Sequence, residues 1–455
     1  MAEQENIPPT MPALLLHPSQ SPSSTTLPSL TYTPTHPTPI PTPSQYLLKV
    51  LTTTLTLSDL HPPPPPTPSP PYTPKTIPGT SLSGIILSTP SIDEHTPTGP
   101  KFKVGDEVIG LLSLSPTAAQ TQTSSTSTPC RTGACADVTV ALETELAFKP
   151  RSVGSGASVG VVRGGLGGWQ VLFGQKQQEE QQQDNDKGDD NEEGGGFEGA
   201  GLSGVVEYSS EEDEVVNWEM ERERRERNGR VRRVLVFVAA GDGRGRVVGN
   251  GVGGMVVQLV RARSLFGEGA RDREGGRVWV CFCVLGDEEG EVDGGFLKGE
   301  LGVDEVVDYS SVRDGRAAAG GGGGGLAGVF RRHGWSPADL VVDCVGGEML
   351  KEAYGSNIVR DGGMVFSNVR PIPERDEMWA EVRESIQKRN LVSRFFTVRP
   401  DGEQLEKIAI LVDKGEIRAF EEREMQFDEG REMVELLESR RGRGEVVVRV
   451  NYDGQ

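Results

Sequence analysis

The stretch VLVFVAAGDGRGRVVGNGVGGMVVQLV, residues 234–260, constrains the fold more than any other part of the chain. An unbroken apolar run of strand length leads through glycines into a second apolar run of helical length. A third run, near 278–284, follows at the distance a βαβ unit requires. Glycines between a strand and a helix let backbone N–H groups approach a pyrophosphate, whose charge is stabilised at the positive end of the helix. The chain holds 59 glycines in 455 residues, so a glycine pattern gains meaning only from that context. Two frames are open. Gly249, Gly251 and Gly254 fit Gly-x-Gly-x-x-Gly, and a shifted frame uses Asn250, Gly251, Val252 and Gly253. In both, GDGRGRVV is an insertion between strand and loop.

The pattern continues beyond this stretch. GFLKGELGV reads as helical and DEVVDYS as a short strand, DLVVDCVGG as a buried strand, and GSNIVRDGGMVFSNV as a helix end followed by another strand. That alternation implies a parallel, doubly wound sheet. The closing segment reads helix, strand, helix, strand. Upstream the character differs. QYLLKVLTTTLTL, IPGTSLSGIIL, KFKVGDEVIGLLS and GACADVTVALETELAFKP are short strands divided by Gly, Pro and Asp, as in an irregular β-barrel or sandwich. Residues 17–45 and 61–78 are rich in Pro, Thr and Ser and read as extended or loop. Residues 174–230 read as a disordered acidic insertion, with 18 acidic against 5 basic residues between 175 and 226. Residues 315–328 read as a Gly-rich insertion loop.

The formal net charge of −20 argues against nucleic acid or an anionic membrane as partner. No run approaches 18 apolar residues, and the opening twenty residues hold only a four-residue apolar core, so neither a spanning helix nor a leader is expected. Five cysteines without a CxxC pair read as reduced thiols, and the expected compartment is cytoplasmic.

In this order the segments resemble the medium-chain dehydrogenase/reductase superfamily, in its zinc-free quinone-oxidoreductase-like or enoyl-reductase-like branch. The residues that carry the resemblance are MPALLL, PSQYLLKVLTTTLTLSDL, IPGTSLSGIIL, FKVGDEVIGL, GACADVTV, ASVGVVRGGLGGWQVLF, LGVDEVVDY and RGRGEVVVRV. The resemblance implies an α/β fold: a GroES-like irregular β-barrel domain over residues 11–155, to which 388–455 return, and a Rossmann dinucleotide-binding domain over 156–387. It implies NADPH (or NADH) in the cleft and hydride transfer to a quinone or an α,β-unsaturated carbonyl compound. The partner is then a small-molecule substrate, with a homodimer as a further possibility of the family.

Zinc-dependent relatives need a Cys in the first segment and Gly-His-Glu after the proline. Thr56, Leu57 and Ser58 stand in the first place and PGTSL in the second, so no metal is expected. Thr56 falls where relatives carry a polar active-site residue, though a strand-end Thr reads equally well. Tyr309 matches a tyrosine near the adenosine phosphate. Cys344 and Val345 end the strand under the nicotinamide, and Phe395 and Phe396 lie on the loop folded over it. Core packing is the competing reading for each. The acidic GDEEGE after the second strand, and Glu445 where relatives carry Lys, oppose recognition of an extra phosphate. A trans-acting enoyl reductase and a non-catalytic fold relic acting as an interaction protein remain open. The glycine-rich GGLGGW, a weak helix former, favours the relic.

Overall fold

The structure is a computed structural model that describes residues 7–17, 28–61, 77–91, 99–113, 133–174, 233–239, 250–266, 278–286, 292, 294–313, 324–420, 424–438 and 445–451. Its strands are β1 (Thr10–His17), β2 (Ser29–Pro37), β3 (Gln45–Thr56), β4 (Ser81–Ser88), β5 (Glu107–Leu111), β6 (Val138–Leu142), β7 (Leu146–Phe148), β8 (Arg233–Ala239), β9 (Trp279–Leu285), β10 (Glu305–Asp308), β11 (Ala338–Asp343), β12 (Val359–Ser367), β13 (Val392–Phe395), β14 (Glu424–Gln426) and β15 (Glu445–Arg449). The helices are α1 (Leu57–Leu60), α2 (Ser155–Phe173), α3 (Val252–Arg261), α4 (Arg263–Phe266), α5 (Gly294–Gly299), α6 (Tyr309–Arg313), α7 (Gly325–His333), α8 (Gly347–Ala353), α9 (Ala380–Lys388), α10 (Gly402–Asp413) and α11 (Gly430–Glu438).

The central sheet has six parallel strands in the order β10-β9-β8-β11-β12-β13. By sequence this is 3-2-1-4-5-6, the dinucleotide-fold order, whose crevice opens where the strand order reverses, between β8 and β11. Both faces of β8 are buried, which is why it reads as a continuous apolar run. Val234, Val236 and Val238 enter one cluster with α3, while Leu235 and Phe237 enter another with α7 and α8.

The other sheet runs β14-β15-β3-β4-β5-β7, with β6 also on β3. β3 is long enough to hold two partners in succession: β6 pairs with Gln45–Lys49 and β15 with Thr52–Thr56. Between the sheets lies α2, which packs against β3, β4 and β5 as well as against α3 and α10. The architecture is therefore a Rossmann sheet joined to a separate, mostly antiparallel barrel-like sheet, as the sequence pattern implies.

Three expectations need correction. Part of the Pro/Thr/Ser-rich 17–45 is a strand, because β2 pairs antiparallel with β1 in a two-stranded sheet. An edge strand tolerates the prolines at positions 34 and 37, since only one side of its ladder is used. The loop assigned to 315–328 ends earlier, because α7 begins at Gly325, where burial of Leu326, Val329 and Phe330 outweighs the glycine composition. The return to the first sheet starts after β13 and not at residue 388, since β13 pairs with β12. The acidic stretch at 175–230 lies outside the described residues. Among the described residues no helix is long and apolar enough to cross a membrane.

Candidate functional site

β8 ends at Ala239 and α3 begins at Val252. The N-cap, Gly251, is extended (φ −68°, ψ 165°) and offers no side-chain cap. The first intrahelical bond runs from Met255 N to Gly251 O at 2.9 Å, so the amides of Val252, Gly253 and Gly254 have no partner within the helix. This end of α3 is held tightly against the sheet. A Cβ added to Gly253 would lie 2.6 Å from Val238 Cγ1 and 2.9 Å from Val236 Cγ1. Across the switch point β11 ends beside it. Cys344 N donates to Phe237 O at 3.0 Å, and the Gly253 amide faces the Cys344 sulfur.

Asn250 fixes the approach to the helix. Its Nδ2 donates to Phe420 O at 2.6 Å and its Oδ1 accepts from Phe420 N at 2.9 Å. The side chain is 2% exposed and fully used in this clamp, so Asn250 positions the loop through its backbone. Gly249 lies outside the described residues.

α2 carries the other wall. Its glycines, poor helix formers in isolation, are the places where α3 approaches. A Cβ on Gly164 would lie 1.6 Å from the Asn250 carbonyl oxygen, and one on Gly168 3.0 Å from Met255 Cβ. Tertiary packing overrides propensity over the 19 residues of α2. Beside Gly164 stands Arg163, the one charged residue of the helix. Its guanidinium reaches Thr80 Oγ1 at 3.3 Å and Ser58 Oγ at 3.5 Å across the domain boundary.

The barrel face opposite α2 is rich in hydroxyls. Thr52 Oγ1 donates to Ser155 O at 3.0 Å, and Ser158 Oγ donates to Ser83 Oγ at 3.4 Å, so Thr52 and Ser83 face α2. Two residues on along each strand, Thr54 and Ser81 share that face. Both side-chain oxygens are buried and have no hydrogen-bond partner. Thr56 caps α1. Its backbone N donates to Asp59 Oδ2 at 2.8 Å and its Oγ1 donates to the same oxygen at 2.6 Å. Burial pushes the Asp59 carboxyl up, and the nearby Arg163 charge and the bonds from Thr56 and the Gly79 amide oppose that rise.

The remaining candidates divide. Val345 N and Gly346 N donate to Asp343 Oδ1 at 3.1 and 2.8 Å, and Ser367 Oγ donates to Oδ2 at 2.7 Å. This buried carboxylate, pushed up by its burial, fixes the β11 turn that carries Cys344 and Val345. The Cys344 thiol is likewise pushed up by burial. Tyr309 is 3% exposed and donates to Glu352 Oε1 at 2.7 Å. Phe396 is buried in the core, with its N donating to Ser367 O, whereas Phe395 is 42% exposed. Thus Gly251, Val252, Gly253, Cys344 and Val345 gather at the switch point, and Thr56 lies with Arg163 on the barrel side. Asp59, Asp343 and Arg163 were not read from the sequence as site residues. The available signal was a single arginine in an apolar, glycine-rich helix.

Among the described residues no group of three or more His, Cys, Asp or Glu side chains converges as a metal site. Cys135 lies near enough to Asp59 to feel its charge, but its thiol is deeply buried and pushed well up.

The family described as "Zinc-binding dehydrogenase" matches residues 301–448. A curated protein of Arthroderma benhamiae, "Probable zinc-binding oxidoreductase, mitochondrial", is 26% identical over 376 residues, 83% of this chain and 80% of the relative. The quinone oxidoreductase from Coxiella burnetii shares the fold with a TM-score of 0.56 at 17% identity, covering 97% of this chain and 99% of that one. The CurK enoyl reductase does so with a TM-score of 0.55 at 14% identity, covering 96% and 99%. At these identities the solved structures speak for the fold alone.

Proposed function

We propose that the chain is a member of the medium-chain dehydrogenase/reductase superfamily, as its match to a zinc-binding dehydrogenase family model and to a curated oxidoreductase supports, and that it is a zinc-independent NAD(P)H oxidoreductase that reduces a quinone or an α,β-unsaturated carbonyl compound. One observation carries the reading: the uncapped amino end of α3 lies at the carboxyl edge of the central strand β8, beside the end of β11. Anionic diphosphate is stabilised at such an end by free amides and by the helix dipole. The residues fit this cofactor. The amides of Val252 and Gly254 face no intrahelical partner, and the missing Cβ of Gly253 permits the close approach of helix to sheet. A bound dihydronicotinamide supplies the hydride. The chain orients it with the β11 turn held by Asp343 and excludes water by packing the two sheets across α2.

The described residues do not fit zinc. The barrel-side donors are the hydroxyls of Thr56, Ser58 and Thr80, with Asp59 engaged by Thr56, and the Arg163 cation stands among them. A catalytic zinc needs three N, S or carboxylate ligands at one point. Purified protein is therefore expected to carry substoichiometric zinc and to keep its activity after dialysis against a chelator. Elemental analysis showing one zinc per chain overturns this.

NADPH is preferred over NADH in this reading, and the acidic segment after β9 is the feature that opposes it. A trans-acting enoyl reductase differs only in the acyl carrier of the same enone. The test is titration with NADPH and with NADH, followed by tryptophan fluorescence and thermal shift. Saturable binding is expected within the roughly 1 μM to 1 mM range usual for such ligands. No response at millimolar cofactor rejects the reductase reading and leaves a fold relic. We place the protein in a reducing compartment, cytoplasmic in first instance, because Cys135, Cys281, Cys283 and Cys344 are all unpaired.

A further inference from the structure

From the placement of Arg163 we infer that its guanidinium is the electrophile of the site: it binds the oxygen of an enone or quinone acceptor and holds the negative charge that hydride addition creates there. The inference rests on the oxidoreductase reading and adds the residue that replaces a metal ion.

Three independent observations support it. The first is location. Arg163 precedes Gly164, the residue at which α2 touches the Asn250 carbonyl at the entrance to α3. The guanidinium itself reaches Ser58 and Thr80 on the barrel side, so neighbouring positions of α2 touch the entrance to α3 and the barrel. The second is spare donor capacity. A guanidinium has five N–H donors, and this one makes two long contacts, at 3.3 Å to Thr80 Oγ1 and 3.5 Å to Ser58 Oγ. A charge-assisted bond to an anionic oxygen is typically 2.7–2.9 Å, so both contacts are weak enough for a ligand to displace. The third is the neighbouring polar surface. Thr54 Oγ1 and Ser81 Oγ lie buried and without partner on the strand face that looks toward α2. Burying hydroxyls unpartnered is costly, and Ser81 directly follows Thr80, the residue whose hydroxyl Arg163 contacts.

The chemistry balances. Hydride adds to the β-carbon of the enone, the C=C electron pair moves to form the enolate, and the charge settles on the carbonyl oxygen against Arg163. A proton from solvent then reaches the α-carbon, leaving the saturated carbonyl compound and the oxidised nicotinamide. Positive charge placed where negative charge develops acts chiefly on the transition state and affects ground-state binding less. The Asp59 carboxyl, held by Thr56, lies within electrostatic reach of the guanidinium and contacts neither reactant.

The experiment has two arms, each on the full chain. In the first, 4-nitrophenolate serves as an enolate mimic and neutral 4-nitroanisole as its control, both titrated without cofactor. The wild type is expected to prefer the anion at least about tenfold. Arg163→Gln and Arg163→Met are expected to lose the preference, and Arg163→Lys to keep part of it. In the second arm an enone is reduced with NADPH. Arg163→Gln is expected to lower kcat about 100-fold, the size of losing one oxyanion donor, while the cofactor Kd stays within about twofold. Anion preference that is absent in the wild type, or that survives in both uncharged variants, overturns the inference. So does an unchanged kcat in Arg163→Gln with cofactor bound. If no dinucleotide binds but anion preference still depends on Arg163, the reductase reading falls and the anion site stands.

Discussion

Gly164→Ala is expected to destabilise the protein by about 3 kcal/mol or more and to abolish dinucleotide binding. Two effects oppose each other. Alanine in a helix interior is favoured over glycine by about 1 kcal/mol. Against that, the added Cβ falls 1.6 Å from the Asn250 carbonyl oxygen and 2.7 Å from its carbon. The obstacle is backbone and cannot rotate away. Overpacking a well-filled interface typically costs about 1–3 kcal/mol, occasionally more, and here relief requires α2 and α3 to separate. That separation shifts the very residues that open α3. Thermal denaturation and NADPH titration check both parts. A variant that melts with the wild type and still binds cofactor shows that the α2–α3 contact does not govern the site.

Asn250→Asp carries the second large effect. The Asn250 amide both donates to Phe420 O and accepts from Phe420 N. A carboxylate keeps the second bond, loses the first, and sets a buried negative charge against a carbonyl. Leaving a buried group unsatisfied costs about 1–3 kcal/mol, more when it is charged, so a loss of about 3 kcal/mol is expected. Asn250→Ala removes both bonds without adding charge and is expected to cost less, about 2 kcal/mol. The new charge also adjoins Gly251, the N-cap of α3, so NADPH affinity is expected to fall at least tenfold in Asn250→Asp. Chemical denaturation of the two variants gives the order, and a loss in Asn250→Asp no larger than in Asn250→Ala would show that the buried charge adds no net cost.

These two residues show what was legible in the chain and what was not. The strands of the central sheet were plain because both faces are buried, so the apolar runs are unbroken. The amino end of α3 was plain because glycine and helix-length apolar content adjoin. The role of the α2 glycines was not, since GGLGGW in isolation argues against a helix. Only the approach of α3 within 3.1 Å of the added Cβ positions at Gly164 and Gly168 explains them. Asn250 reads from the sequence as a cofactor-loop residue, and its side-chain clamp is not legible because its partner Phe420 is 170 positions away. β2 was hidden by its prolines, which an edge strand accepts. Arg163 drew no attention because a lone arginine in an apolar helix has many uses, and its meaning depends on Ser58 and Thr80 from another sheet.

The strand that completes the first sheet is the last in sequence. β15 lies on Thr52–Thr56 of β3, and Asn451 then bonds to the Val50 carbonyl, 401 positions back. Synthesis therefore delivers the central sheet's strands before the amino-terminal sheet can be closed. Until β15 has been made, the edge of β3 that carries Thr54 and Thr56 lacks its cover. Closing so wide a loop is slow, so completion of the barrel-like sheet waits on β15, and a substitution that weakens β15 acts on strands some 390 positions earlier.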